Sequence, residues 1–210
     1  MKRSEILIDV RDYIEDEDKE DYPTDAPLNR FIQTAADEVA AIILALDESH
    51  YIQDHDIGFM IQANVELYDL PDECVRLKYV EDESGVPLTR KNVADRADYI
   101  GTGNTRYYYF QDKQIGFLDV PAASKIFPFK FVRKPTAMTS DDSEPDTPEY
   151  LCHKLIGIKA AMIAMGISED DDTWLNKLAN WHLKQIEETY FRRNTDFQES
   201  VPDDDNLDLD

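Results

Sequence analysis

Between Leu28 and Leu46 the apolar residues Leu28, Phe31, Ile32, Ala35, Val39, Ile42, Ile43 and Leu46 recur at i, i+3, i+4 and i+7. That spacing predicts a helix with one buried face, and Asn29, Gln33, Asp37 and Glu38 fall on the other. Upstream, Ile6, Leu7, Val10 and Ile14 predict a shorter amphipathic helix capped by Ser4. The acidic run 15–21 follows as a solvated connector. Tyr22-Pro23-Thr24-Asp25 reads as a turn into the long helix, with Thr24 as its cap, Pro27 in the first turn and Asp25 at the positive end of the dipole.

From about Ile57 to Pro135 the period changes to two. Val65 and Leu67, then Val75, Leu77 and Tyr79, alternate with polar residues, and further strands are expected over 107–110, 114–120 and 127–133. Asp112-Lys113 fits a hairpin turn. Pro121, Pro128 and Pro135 point to edge strands or loop crossings, because proline cannot donate to a ladder. After a polar, acidic stretch over 139–146, helical spacing returns. Thr147 as cap and Pro148 at the first position open a helix with the stripe Leu151, Leu155, Ile158, Met162 and Met165, ended by Gly166. A last helix uses Trp174, Leu175, Leu178, Trp181, Ile186 and Tyr190 and finishes at Arg192-Arg193, its carboxylates at 168–172 matching the dipole.

The fold class is therefore α+β: a helical bundle built from N- and C-terminal helices, with an inserted β-rich lobe. The expected boundaries are 1–56 for the first part of the bundle, 57–138 for the lobe and 147–194 for the closing helix pair. The segment 195–210 holds seven acids and no base and reads as disordered when alone.

Composition changes this picture mainly through charge. Lys+Arg 22 against Asp+Glu 45 leaves a formal net charge of -23. A free-standing DNA binder needs a basic footprint, and an anionic surface also disfavours acidic membranes. Cys74 and Cys152 are far apart, lack metal-site spacing and read as buried reduced thiols. Ile6-Leu7-Ile8 is too short for a signal sequence, and no stretch approaches the ~20 apolar residues of a membrane span, so the chain is expected to be made in a cytosol.

Candidate chemistry is sparse. His50 and His55 bracket Gln53-Asp54, but the i, i+5 spacing fits neither a helical nor a hairpin metal pair, so no metal is assigned. Cys152 and His153 are adjacent on a helix and point about 100° apart, which suggests a buried thiol beside a surface imidazole. Gly101-Thr102-Gly103-Asn104 lacks the third glycine and the following helix of a phosphate loop and reads as a loop tip. No nucleophile elbow, P-loop or zinc-protease signature occurs, and no cofactor is implied. The run Tyr107-Tyr108-Tyr109-Phe110 has too few bases around it for nucleobase stacking. In a strand its outward members are candidates for a subunit interface, giving Tyr107, Tyr108 and Tyr109 as interface residues.

Four stretches follow one another along the chain: Tyr22-x-Thr24-Asp25-x-x-Leu28-x-x-Phe31-Ile32-x-x-Ala35-x-x-Glu38-Val39; Tyr68-Asp69-Leu70-Pro71-Asp72-Glu73-Cys74-Val75-Arg76-Leu77; Tyr107-Tyr108-Tyr109 with Gln114-Ile115-Gly116-Phe117-Leu118; and the helices from Pro148-Glu149-Tyr150 to Ala164 and from Trp174-Leu175 to Glu188. In that order they resemble the head-to-tail connector, or adaptor, proteins of tailed bacteriophages. The acidic tail and the length of the β-rich part depart from the pattern. The resemblance implies a structural virion protein of the neck, made in the bacterial cytoplasm, and not an enzyme. It would form a ring of about twelve copies beneath the portal protein, extend the channel for double-stranded DNA without gripping it, and dock tail or nozzle proteins. Within that expectation 195–210 is a candidate partner-binding arm, with Phe197, Val201, Asp203, Asp204, Asp205, Leu207 and Leu209 as its contact residues. Other readings are a tail terminator or decorating ring, an acidic DNA-mimicking inhibitor, and a hydrolase. Helices at both chain ends speak against the first, and the missing nucleophile, base and metal set against the last.

Overall fold

The computed structural model describes residues 1–62, 65–94, 106–118, 124–148, 150–168 and 173–199, with the backbone alone at 55–59, 150, 167, 168 and 191–199. The chain divides into two compact units, one formed by Met1–His50 with Pro135–Asp210 and the other by Tyr51–Lys134.

The first unit holds four helices among the described residues: α1 (Arg3–Tyr13), α2 (Ala26–Leu46), α3 (Tyr150–Ser168) and α4 (Thr173–Glu199). Helix α3 packs against each of the other three. Its sequence explains that position. Cys152, Leu155, Ile156, Ile158, Ala160, Ala161 and Ala164 are all buried, so the helix is apolar around most of its circumference and not along one stripe. It is described from Tyr150 and continues past Gly166 to Ser168. Gly157 lies under α1, where a Cβ would stand at ordinary van der Waals distance from Ile6, Asp9 and Tyr13. Helix α2 buries Leu28, Ile32, Ala35, Ala36, Val39, Ala40 and Ile43, the face its spacing predicts.

The helix ends differ from expectation in an instructive way. Asp25, not Thr24, occupies the N-cap position of α2, and Pro27 lies in its first turn. Ser4 is already inside α1. The first N–H groups of that helix are met by the 139–146 stretch, with Arg3 N donating to Ser143 O at 2.8 Å and Ser4 N to Asp141 O at 3.1 Å. The stretch is thus the N-terminal closure of α1 and not a loose linker. At the other end of α1, Asp16 N reaches Arg11 O at 3.0 Å and Glu15 N reaches Asp12 O at 3.4 Å. Glu15 has the left-handed backbone (φ 55) that glycine usually supplies after a helix, which is why no glycine marks this end in the sequence.

The second unit is β-rich. A short 3-10 turn, Glu48–Tyr51, leads into β1 (Ile52–Ile61), followed by β2 (Leu67–Asp69), β3 (Cys74–Val80), β4 (Thr89–Arg90), β5 (Tyr107–Gln111), β6 (Gln114–Phe117) and β7 (Lys125–Arg133). The strands form two sheets, ordered β1-β7-β3 and β2-β6-β5-β4. Ile61, Val80, Phe127, Phe129 and Phe131 from the first sheet and Tyr108, Ile115 and Phe117 from the second share one core. Pro128 corrects the expectation of an edge strand, for β7 is central. The proline lies where the ladder to β1 shifts register between His55 and Phe59 and just beyond the last β3 pair, Val80↔Phe129. Its carbonyl still accepts from Glu81 N at 2.8 Å, so the missing donor falls at the end of the ladder. Pro135 lies beyond the end of β7, and Pro121 is outside the described residues.

Candidate interaction surfaces

Among the described residues, no group of three or more His, Cys, Asp or Glu side chains is placed to hold a metal. His50 stands 3.4 Å from Asp146, and the side chain of His55 is outside what is described. Both cysteines are free thiols, Cys152 buried and Cys74 half-buried. His153 is buried too, contrary to the surface position expected of it, because α3 is enclosed on most sides. Its Nδ1 lies 2.8 Å from the Met1 nitrogen, and burial pushes its pKa below the ordinary 6.5. The loop 101–104 lies outside the described residues.

The connector 15–21, read as solvated, contains the best-built polar cluster. Arg11, on the buried side of α1, donates to Asp16 Oδ2 at 2.6 Å and to Asp25 Oδ1 at 2.7 Å. Its guanidinium also reaches the carbonyls of Asp16 and Tyr22 at 3.2 and 3.1 Å. The Asp16 side chain is 1% exposed and also accepts from the backbone N–H groups of Asp21 and Tyr22. The left-handed residues Glu15 and Lys19 allow the chain to curl around that carboxylate. Tyr22 then donates to Ala164 O at 3.0 Å, tying the connector to α3. A counted run of acids gives no hint that one of them faces inward; the isolated Arg11 on the apolar side of α1 is the signal that does.

Of the three candidate interface tyrosines, two are used inside the subunit. Tyr108 belongs to the shared sheet core. Tyr109, on the opposite face of β5, is fully buried over its strand partner Gly116, and its hydroxyl donates to Glu66 at 2.6 Å. Both faces of β5 are therefore covered, which corrects the expectation that alternate tyrosines point outward. Tyr107 alone remains half-buried, with Lys91 over its ring at 5.4 Å. Nearby, Arg90 stacks on Phe110 at 4.6 Å, and a shallow depression of ≈ 470 Å³ is lined by Arg90, Lys91, Asn92, Val93 and Phe110.

Helix α4 carries a second correction. Leu175, Ile186 and Tyr190 are buried, whereas Trp174 and Trp181 are 47% and 53% exposed. Residues 175, 179, 182, 186 and 190 form one stripe and 174, 177, 181, 184 and 188 another, nearly opposite; a single stripe cannot hold both sets. The outer stripe reads Trp174, Lys177, Trp181, Lys184, Glu188. α4 also runs to Glu199, six residues past Arg193, so 195–199, including Phe197, are helical and not the start of a disordered arm. Val201, Asp203, Asp204, Asp205, Leu207 and Leu209 lie outside the described residues.

No helix among the described residues is long and apolar enough to cross a membrane. Compared with known families, the sequence matches the SU10 adaptor protein family over residues 1–200. No curated protein matches it. The family match agrees with the connector resemblance and extends through all four helices and both sheets.

Proposed function

The chain belongs to the SU10 adaptor protein family, and from that premise we propose that it works in the neck of a tailed bacteriophage, as a ring of about twelve copies beneath the portal. The ring continues the DNA channel and gives tail or nozzle proteins their platform. The observation that carries this reading is the family match over 1–200, which takes in the helical unit and the inserted β-rich unit together.

The physical chemistry is consistent with it. A conduit must let the duplex slide, and a subunit of formal charge -23 repels phosphate where a basic one would hold it. Phe197, near the end of α4, and Val201, Asp203, Asp204, Asp205, Leu207 and Leu209 in the arm after it serve attachment to the portal or to a neighbouring copy, where ordering of the arm is coupled to docking. Tyr107 is the member of its run still placed to meet a neighbour. A virus lacking this protein is expected to make filled heads and complete tails that fail to join, seen by electron microscopy of infected-cell lysates. Normal joined particles would overturn the proposal.

A further inference from the structure

Trp174 meets Tyr13 edge-on at 5.9 Å and Trp181 meets His182 at 4.8 Å, yet these two tryptophans a heptad apart, on the side of α4 away from its buried stripe, stay half-exposed, which is unusual for a surface that faces only water. Tryptophan is a costly residue to leave wet and is enriched at the centres of interfaces. Lys177 and Lys184 share the stripe, and both are exposed, Lys184 standing 3.9 Å from Glu188. In a chain with 45 acids and 22 bases, a stripe of two lysines against one glutamate is locally cationic as well as aromatic. Its complement is an acidic segment with apolar anchors, and the chain carries one. In extended form, residues 201, 203, 205, 207 and 209 would lie along one edge, giving Val201, Asp203, Asp205, Leu207 and Leu209.

We infer that the Trp174–Trp181 stripe of α4 is the docking site for residues 200–210 of a neighbouring copy. The leucines would pack on the indoles, and the aspartates would meet Lys177 and Lys184. The neighbour, and not the same chain, is indicated by reach. From Glu199, Trp174 lies ~37 Å back along the helix, while the ten residues to Leu209 span at most ~35 Å even when fully extended. An arm folding back on its own helix would leave that tryptophan uncovered. The inference rests on the adaptor reading for its neighbouring copy, yet its test involves no portal.

The chain's two tryptophans are the two on this stripe, so intrinsic indole fluorescence reports from the proposed site alone. The test uses the full-length chain with its own arm disabled (Asp203→Asn, Asp205→Asn, Leu207→Ser, Leu209→Ser), titrated with a synthetic peptide of residues 200–210. A saturable blue shift that weakens with added salt is expected. Charge reversal at Lys177→Glu and Lys184→Glu should weaken binding about tenfold or more, with helical circular dichroism unchanged. In the unaltered chain, acrylamide quenching should fall as protein concentration rises, which marks coverage by another copy. No shift, an equal shift with a scrambled peptide of the same composition, an equal shift in the charge-reversed variant, or quenching independent of concentration would each overturn the inference. A chain that binds portal but not peptide refutes this docking and leaves the adaptor reading standing; binding of peptide without portal does the reverse.

Discussion

Replacing Asp16 by alanine removes the acceptor for Arg11 Nη1 and for the N–H groups of Asp21 and Tyr22 in one step. Arg11 stays behind, its side chain 8% exposed, with Asp25 as its remaining carboxylate partner among the ion pairs described. A buried charge stripped of one partner costs about 3–5 kcal/mol, and we expect Asp16→Ala to lower the stability of the helical unit by that order in urea denaturation followed at 222 nm. A loss below about 1 kcal/mol would mean that the turn rearranges to rehydrate Arg11. Asp25 adds a pH signature. The hydrogen bond from Arg11, followed by smaller charge effects, holds its carboxyl below the ordinary 3.8 despite some burial. A carboxylate whose pKa is lower in the folded than in the unfolded chain stabilises the fold above the unfolded value. That contribution is lost as pH falls through the folded one. The urea midpoint should therefore drop as pH is lowered from about 5 to about 3, and Asp25→Asn should flatten part of that dependence.

Among the elements, the hairpin β5–β6 makes the sharpest demand on sequence. A Cβ on Gly116 would stand 2.6 Å or less from two ring carbons and the hydroxyl oxygen of Tyr109. That ring is fully buried and held by its hydroxyl on Glu66, so it has little freedom to move aside. Gly116→Ala is expected to cost about 1–3 kcal/mol as overpacking. Hydrogen exchange should show protection lost across β5 and β6 while α2 and α3 keep theirs; equal loss in the helices would contradict the two-unit division. The element order was readable from periodicity alone, because long one-sided stripes such as Leu28 to Ile43 admit few alternatives. Strands β2, β3, β5, β6 and β7 were readable to within a few residues, whereas β1, in which Gln53, Asp54 and the following residues hide the alternation, and the two-residue β4 were not. Two kinds of feature escaped. Helix ends secured partly from a distance, as α1 is by Ser143 and Asp141, show only part of their closure locally, here Glu5 accepting from the Lys2 N–H at 2.8 Å. Helices with two patterns defeat a one-stripe reading, as α3 does by being enclosed and α4 by carrying Trp174 and Trp181 outward. Tyr108 and Tyr109 were expected outward for a related reason, since a strand between two covered faces buries consecutive residues.

At the scale of the whole molecule, the candidate site is a set of surfaces, and surfaces leave a weaker trace in sequence than catalytic motifs do. The connector resemblance was legible because turn signals and stripes occur in a fixed order along most of the chain, and the family match covers residues 1–200. Net charge is also a whole-molecule property: -23 opposes phosphate binding and weakens pairwise association of free copies, so closing a full ring needs a partner that overcomes the summed repulsion. The portal is the partner the adaptor reading requires. The most direct measurement is electron microscopy of the purified chain mixed with the portal protein of the same virus, with the chain alone as control. The account predicts an added closed ring of about twelve copies at one end of the portal, coaxial with its channel. Portal particles without added density, or with copies scattered over their surface and no ring, would contradict it.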